Sequence, residues 1–329
     1  MNRYLLIFVL FLVSCVEDPS IERGFYHWKQ ELDLTKEDKA FLNDIGAEYL
    51  YVKYFDVIWK DDQAIPVSIL NVKNKPKQEV VPVVFITPDV FSNLDSSGVE
   101  DLAKKVGKKI RDVNHKLSNF EEIQIDCDWM PSIKDKYFYF LSKLGQEFEG
   151  SILSATIRLY QYKYPDLAGV PPVDKGLLMY YNMGDFSEYR ERNSILNNKT
   201  GKQYLGSGDY PLPMDIALPN FRWSLLFRQG NFKQICPNFT ETQLNDQELF
   251  TKMGNNKFIF NMDTVMYDTY FRYGDELRYE SCSEEELLLA VDLLKKEIGS
   301  EKIRVLIYDL QNETKDEYEK LDAVFSAFE

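Results

Sequence analysis

The chain has 329 residues, 39 Lys plus Arg against 53 Asp plus Glu, a formal net charge of −14, and 44% hydrophobic and 14% aromatic residues. That much apolar surface excludes a disordered chain, and the length suffices for one barrel or two ordinary domains. The acidic balance excludes nucleic acid as the main partner, because phosphate recognition needs clustered Lys and Arg. With only His27 and His115, a histidine-rich metal site is not expected either.

In chain order, Met1-Asn2-Arg3 carries one positive charge, and an unbroken apolar run follows from Tyr4 to Val13. Such a run suits the hydrophobic region of a signal peptide and falls short of the ~20 residues of a spanning helix. It ends Leu12-Val13-Ser14-Cys15, which resembles the lipobox of bacterial lipoproteins, where the leader is cleaved before the Cys and lipid is attached to its sulfur. The resemblance implies a signal peptide over 1–14, Cys15 as the lipidation site and a tether over 15–23. It also implies a place in the cell envelope, anchored by lipid to a bacterial membrane, with the outer membrane expected. An ordinary secretory signal with a chance Cys is the plainer alternative. The remaining Cys127, Cys236 and Cys282 have no CxxC spacing, so neither a disulfide framework nor a zinc site is expected.

From residue 24 onward, short apolar or β-branched runs alternate with amphipathic ones. The spacing predicts strands at Gly24–Trp28, Glu48–Val57, Val80–Thr87, Glu122–Trp129, Ile152–Tyr160, Gly176–Asn182, Met214–Asn220 and Lys302–Leu310. Strands alternating with helices point to an α/β fold with a parallel sheet, and eight of them to a closed (β/α)₈ barrel of the TIM type over 24–329. Capping-box patterns at Thr35, Ser97, Ser283 and Thr314 mark helix starts. Apolar stripes follow at Val99, Leu102, Ala103, Val106, Ile110 and Val113, and at Tyr137, Phe140, Leu141 and Leu144.

Two stretches depart from an ideal barrel. No helix is evident over 60–79, which reads as a polar excursion or a hairpin. The stretch 222–279 is too long for an ordinary strand-to-helix connection and is rich in aromatics. It reads as a lid-like insertion after strand seven or as a satellite hydrophobic cluster.

The fourth strand carries the strongest chemical signal, Glu122-Ile123-Gln124-Ile125-Asp126-Cys127-Asp128-Trp129. Strand side chains alternate faces, so Gln124, Asp126 and Asp128 share one face and Ile123, Ile125, Cys127 and Trp129 the other. The apolar set must pack on helices, which turns the carboxylates into the barrel or its mouth. Burying them is costly without partners, and Lys53 and Arg158 are the candidate cations. Adjacent carboxylates on one face also push one pKa up, a property useful in a general acid.

The segment Ile125-Asp126-Cys127-Asp128-Trp129 resembles the Asp-x-Asp strand of chitinase-type and related barrel glycosidases, and the barrel pattern resembles uncharacterised bacterial lipoproteins with glycosidase-like barrels. One departure matters: where the chitinase pattern places its acid Glu, two residues past the second Asp, this chain has Met130.

Two readings follow. In the first, a lipid-anchored glycoside hydrolase-like protein acts on a poly- or oligosaccharide through Asp126 and Asp128. Trp28, Asp56, Gln161, Asn182 and Asp185, at or near strand ends, and Lys53, Gln124 and Arg158, within strands, would then bind substrate. In the second, the barrel binds glycan or serves cell-envelope assembly without catalysis. Either way the partners are a carbohydrate and, through Cys15, a membrane. No metal or other cofactor is expected, since nucleotide-binding, serine-hydrolase and zinc-peptidase motifs are all lacking.

Overall fold

The structure, a computed structural model, describes residues 21–329 apart from 118, 207–209, 237–238, 255, 299–302 and 311–314. The lipobox and the Thr314 capping pattern lie outside the described residues.

Eight parallel strands close into a barrel: β1 (Glu22–His27), β2 (Tyr49–Lys60), β3 (Glu79–Ile86), β4 (Glu122–Asp126), β5 (Ile152–Arg158), β6 (Lys175–Met179), β7 (Met214–Pro219) and β8 (Arg304–Tyr308). Each pairs in parallel with the next, and β1 pairs with both β8 and β2, so the ring has no open edge. The predicted (β/α)₈ barrel is therefore the fold, with strand ends within a few residues of the expected ones. At the seam Gly24 is required. A Cβ there would stand 2.4 Å from the Leu306 side chain and 3.2 Å from the Tyr49 carbonyl oxygen.

The helices pack outside. They include α1 (Lys36–Asp44), α2 (Ser96–Asn114), α3 (Lys134–Glu147), α4 (Glu284–Ile298) and α5 (Lys315–Phe328). The predicted stripes of α2 and α3 are buried against the outer barrel face, in one core with Ile123, Ile125, Cys127 and Trp129. At α1 the Thr35–Asp38 capping box forms as expected. The start of α2 differs from expectation. Asp95, not Ser97, is the N-cap, taking the Gly98 N–H at 2.7 Å, because its side chain reaches the first turn from two residues earlier.

The stretch after β2 is a hairpin. β2 runs on to Lys60, and Gln63–Val67 returns antiparallel to it. Between β7 and β8 lies a five-stranded antiparallel sheet, formed by Asn231–Cys236, Trp223–Arg228, Glu276–Glu280, Lys257–Phe260 and Phe250–Met253. It has its own core, in which Phe239, Phe250, Phe258, Phe260, Phe271 and Leu277 are buried. Cys127, Cys236 and Cys282 are buried free thiols. No helix among the described residues is long and apolar enough to cross a membrane.

Candidate functional site

The barrel interior is layered, and β4 contributes to each layer. At the strand starts, Glu122 is 2% exposed and fully bonded. Tyr51 Oη (3.0 Å) and Ser154 Oγ (2.6 Å) donate to one of its oxygens, Lys175 Nζ (2.9 Å) and Arg304 Nη1 (2.7 Å) to the other. Asp215, expected to be structural from its place at the start of a strand, joins this plug through Lys175 at 2.6 Å. Above it, Gln124 accepts a hydrogen bond from Tyr26 Oη. Tyr26, Tyr51, Val81, Val83, Leu177, Met179, Tyr181 and Leu306 fill the middle of the ring.

Asp126 forms the uppermost layer. It faces inward, as the alternation predicts, and takes a hydrogen bond from Thr156 Oγ1 at 2.7 Å. Burial, opposed by the nearby Arg158 cation and reinforced by Asp128 and Asp56, pushes its carboxyl up to about 6.

The strand ends at Asp126, earlier than expected, so Asp128 sits on the following turn rather than in line with the strand. The cause is local. Trp129 turns away to donate its indole N–H to the Ala168 carbonyl at 2.9 Å, and its own carbonyl accepts from Gln161 Nε2 at 3.0 Å. Asp128 is held by both Nε and Nη2 of Arg158, the latter at 2.8 Å from Oδ2. Lys53 pairs with Asp56 at 3.1 Å, not with either β4 aspartate. Its ammonium also lies 5.2 Å from the centroid of the Trp28 ring.

These groups line a cavity of about 320 Å³ at the C-terminal mouth of the barrel. The structure thus brings seven of the sequence-derived candidates together: Trp28, Lys53, Asp56, Asp126, Asp128, Arg158 and Asn182. Three others do not line it. Gln124 lies beneath the cavity against Tyr26. Gln161 is buried in the short helix Leu159–Lys163 after β5, where it accepts from the Arg158 backbone N–H at 2.7 Å. Asp185 is exposed and bonded to Ser187 Oγ at 2.6 Å. Cys15 lies outside the described residues.

Sequence reasoning missed Phe85, Met179, Tyr181 and Tyr308 as cavity residues. Tyr181 and Tyr308 stack at 5.3 Å and 19°, and Trp28 meets Tyr308 edge-on at 5.5 Å. The usable signal was positional, since all four stand at or next to a C-terminal strand end. The Tyr181 hydroxyl is buried and has no hydrogen-bond partner among the described residues. Chemically, the site offers aromatic faces, two carboxylate–cation pairs and one carboxyl bonded to a hydroxyl.

The (β/α)₈ fold is shared with solved barrels of low sequence identity. The chain is similar to the spore cortex-lytic enzyme SleL of Bacillus cereus, with a TM-score of 0.57 and 13% identity over 94% of this chain and 75% of that one. It is also similar to the chitinase-like agglutinin RobpsCRA of Robinia pseudoacacia, at a TM-score of 0.54 and 9% identity over 93% and 99%. A third similar structure is the chitinase RmChi1 of Rhizomucor miehei, at a TM-score of 0.50 and 9% identity over 92% and 99%. No protein-family model and no curated protein matches the sequence.

Proposed function

We propose that this protein is a glycan-binding barrel, lipid-anchored through Cys15 to the outer membrane of a bacterial cell envelope, and that it does not hydrolyse its ligand by the chitinase-type route. The observation that carries the reading is the rim after β4. Met130, 52% exposed, stands where chitinase-type barrels place their acid, and the second carboxylate of the pair is engaged by Arg158. A proton donor and a free carboxylate are what glycosidase chemistry requires, and among the described residues lining the cavity neither is offered beyond Asp126. The cavity keeps what binding requires, namely aromatic faces for sugar rings and polar groups for hydroxyls. A chitinase-like agglutinin, a binding protein by its name, is among the similar barrels. The membrane anchor rests on Leu12-Val13-Ser14-Cys15.

The experiment is a panel of poly- and oligosaccharides assayed for binding by calorimetry and for release of new reducing ends. Binding without release is expected. Release that disappears in Asp126→Asn and Asp128→Asn overturns the non-catalytic reading. That outcome belongs to the second reading, hydrolysis with Asp126 as general acid, which one observation favours: a carboxyl raised to about 6 at the cavity wall can deliver a proton near neutrality.

A further inference from the structure

The charges around the cavity do not balance, and the imbalance falls on one atom group. Among the described residues lining the cavity, two cations, Lys53 and Arg158, face three carboxylates, Asp56, Asp126 and Asp128. Lys53 is committed to Asp56 and Arg158 to Asp128. Among the described residues neither cation forms an ion pair with Asp126, which takes its hydrogen bond from the neutral Thr156 hydroxyl. Beside it stand the Trp28, Phe85, Tyr181 and Tyr308 rings, whose faces attract cations. The Trp28 ring already does so with the Lys53 ammonium. Tyr181, whose ring lines the same wall, is 3% exposed, and its buried hydroxyl has no hydrogen-bond partner among the described residues.

We propose that this cavity selects an amino sugar bearing a free ammonium group, which seats on Asp126 between the aromatic walls. The proposal rests on the glycan-binding reading and narrows its substrate class. An ammonium brings three donors and the charge that the site lacks, whereas a sugar hydroxyl brings one donor and no charge. A uronic or otherwise acidic sugar would add a fourth anion to a site whose cations are both occupied.

The selection depends on pH. The groups facing Asp126 are Lys53 and Asp56 of β2, Asp128 past β4, and Thr156 and Arg158 of β5. Tyr26 of β1 and Tyr181 and Tyr308, at the ends of β6 and β8, face it as well. Burial, Asp128 and Asp56 favour the protonated carboxyl, and Arg158 and the Thr156 bond oppose them. On acidification Asp126 gains its proton before an ordinary carboxyl would, and the ammonium loses its counter-charge.

Calorimetry would use matched oligomers of 6-amino-6-deoxyglucose, whose primary amine stays an ammonium at both pH values, glucose and glucuronic acid, on wild type and Asp126→Asn, at about pH 7 and about pH 5. At the higher pH the amino-sugar oligomer binds about tenfold more tightly than the glucose oligomer, and the glucuronate oligomer binds weakest. The advantage shrinks to about twofold in Asp126→Asn and, in wild type, at the lower pH. Equal affinity for the amine and neutral oligomers at about pH 7 sinks the proposal and leaves glycan binding intact. An amine advantage that survives Asp126→Asn also sinks it, because it then comes from the acidic surface at large. Binding of none of the oligomers overturns the glycan reading together with the proposal. Should Asp126→Asn fail to fold, the wild-type pH comparison decides alone.

Discussion

Arg158 donates to Asp128 from both Nε and Nη2, so the guanidinium of β5 and the carboxylate beyond β4 meet as a two-pronged pair at the barrel mouth. The pair bridges neighbouring strands at the point where their ladder has ended, and it stands beside the buried Asp126. Arg158 therefore does two things: it closes the rim, and it lowers the cost of charge on Asp126.

Replacing Arg158 with Leu removes both effects. The variant is expected to lose about 1 kcal/mol of stability, a modest figure because the Asp128 side chain is 44% exposed and partly screened by water. Its Asp126 should titrate above the wild-type value, since the largest opposing charge is gone. Carboxyl-carbon NMR over a pH series reads that titration, and an unchanged midpoint would show that Arg158 does not act on Asp126.

Stability itself should depend on Asp126. Its carboxyl is raised from 3.8 to about 6 in the folded chain, so between those values the folded state holds more protons than the unfolded one. That contribution to stability is present at low pH and is lost as pH rises through the window. Asp126→Asn keeps an acceptor for Thr156 and carries no charge to bury. At about pH 7 it is expected to be more stable than wild type by about 1–3 kcal/mol, with the difference vanishing near pH 4. Urea denaturation at the two pH values measures this; a variant less stable at neutral pH contradicts it.

Glu122 poses the opposite case, a buried carboxylate with every oxygen engaged. Its removal leaves Arg304 and Lys175 facing each other at the barrel floor without their shared anion. Glu122→Ala is expected to cost roughly 3–5 kcal/mol in denaturant titrations. A loss below about 1 kcal/mol would mean that water or rearranged Asp215 replaces the carboxylate.

Barrel closure can be probed at Gly24. A methyl group there meets Leu306 and the Tyr49 carbonyl, and the backbone on the β2 side cannot move without opening the seam. Gly24→Ala should destabilise by about 1–3 kcal/mol, read as an earlier thermal transition. No change would show that β1 shifts freely at the closure.

The insertion sheet has a core of its own, in which Phe260 stacks on Phe271 at 4.5 Å. Phe260→Ala is expected to cost about 3–4 kcal/mol within that sheet. Hydrogen exchange should then quicken over 223–280 while β3 to β5 keep their protection. Uniform loss of protection would mean that sheet and barrel unfold as one unit.

Much of this architecture was legible in residue order. Strand and helix periods differ, so the eight strands and the stripes of α2 and α3 declared themselves, and so did the inward turn of Asp126, because a barrel's outer face must be apolar. Glu122 has the same parity as Gln124 and Asp126, and its place in the floor was open to the same argument. The turn at 60–79 also showed itself, because it lacks a helical period.

What the sequence could not decide was pairing. Which cation meets which carboxylate depends on where each strand ends in space, and a turn of two residues moved Asp128 off its strand and under Arg158, while Lys53 chose Asp56 three residues along its own chain. The gathering of Trp28, Tyr181 and Tyr308 around one cavity likewise joins residues 28 to 308 across the ring, a proximity created only by closure of the barrel. Local periodicity is set by backbone geometry and needs only neighbouring residues; the charge state and shape of the cavity are set by long-range contacts, and these exist only once the chain has folded.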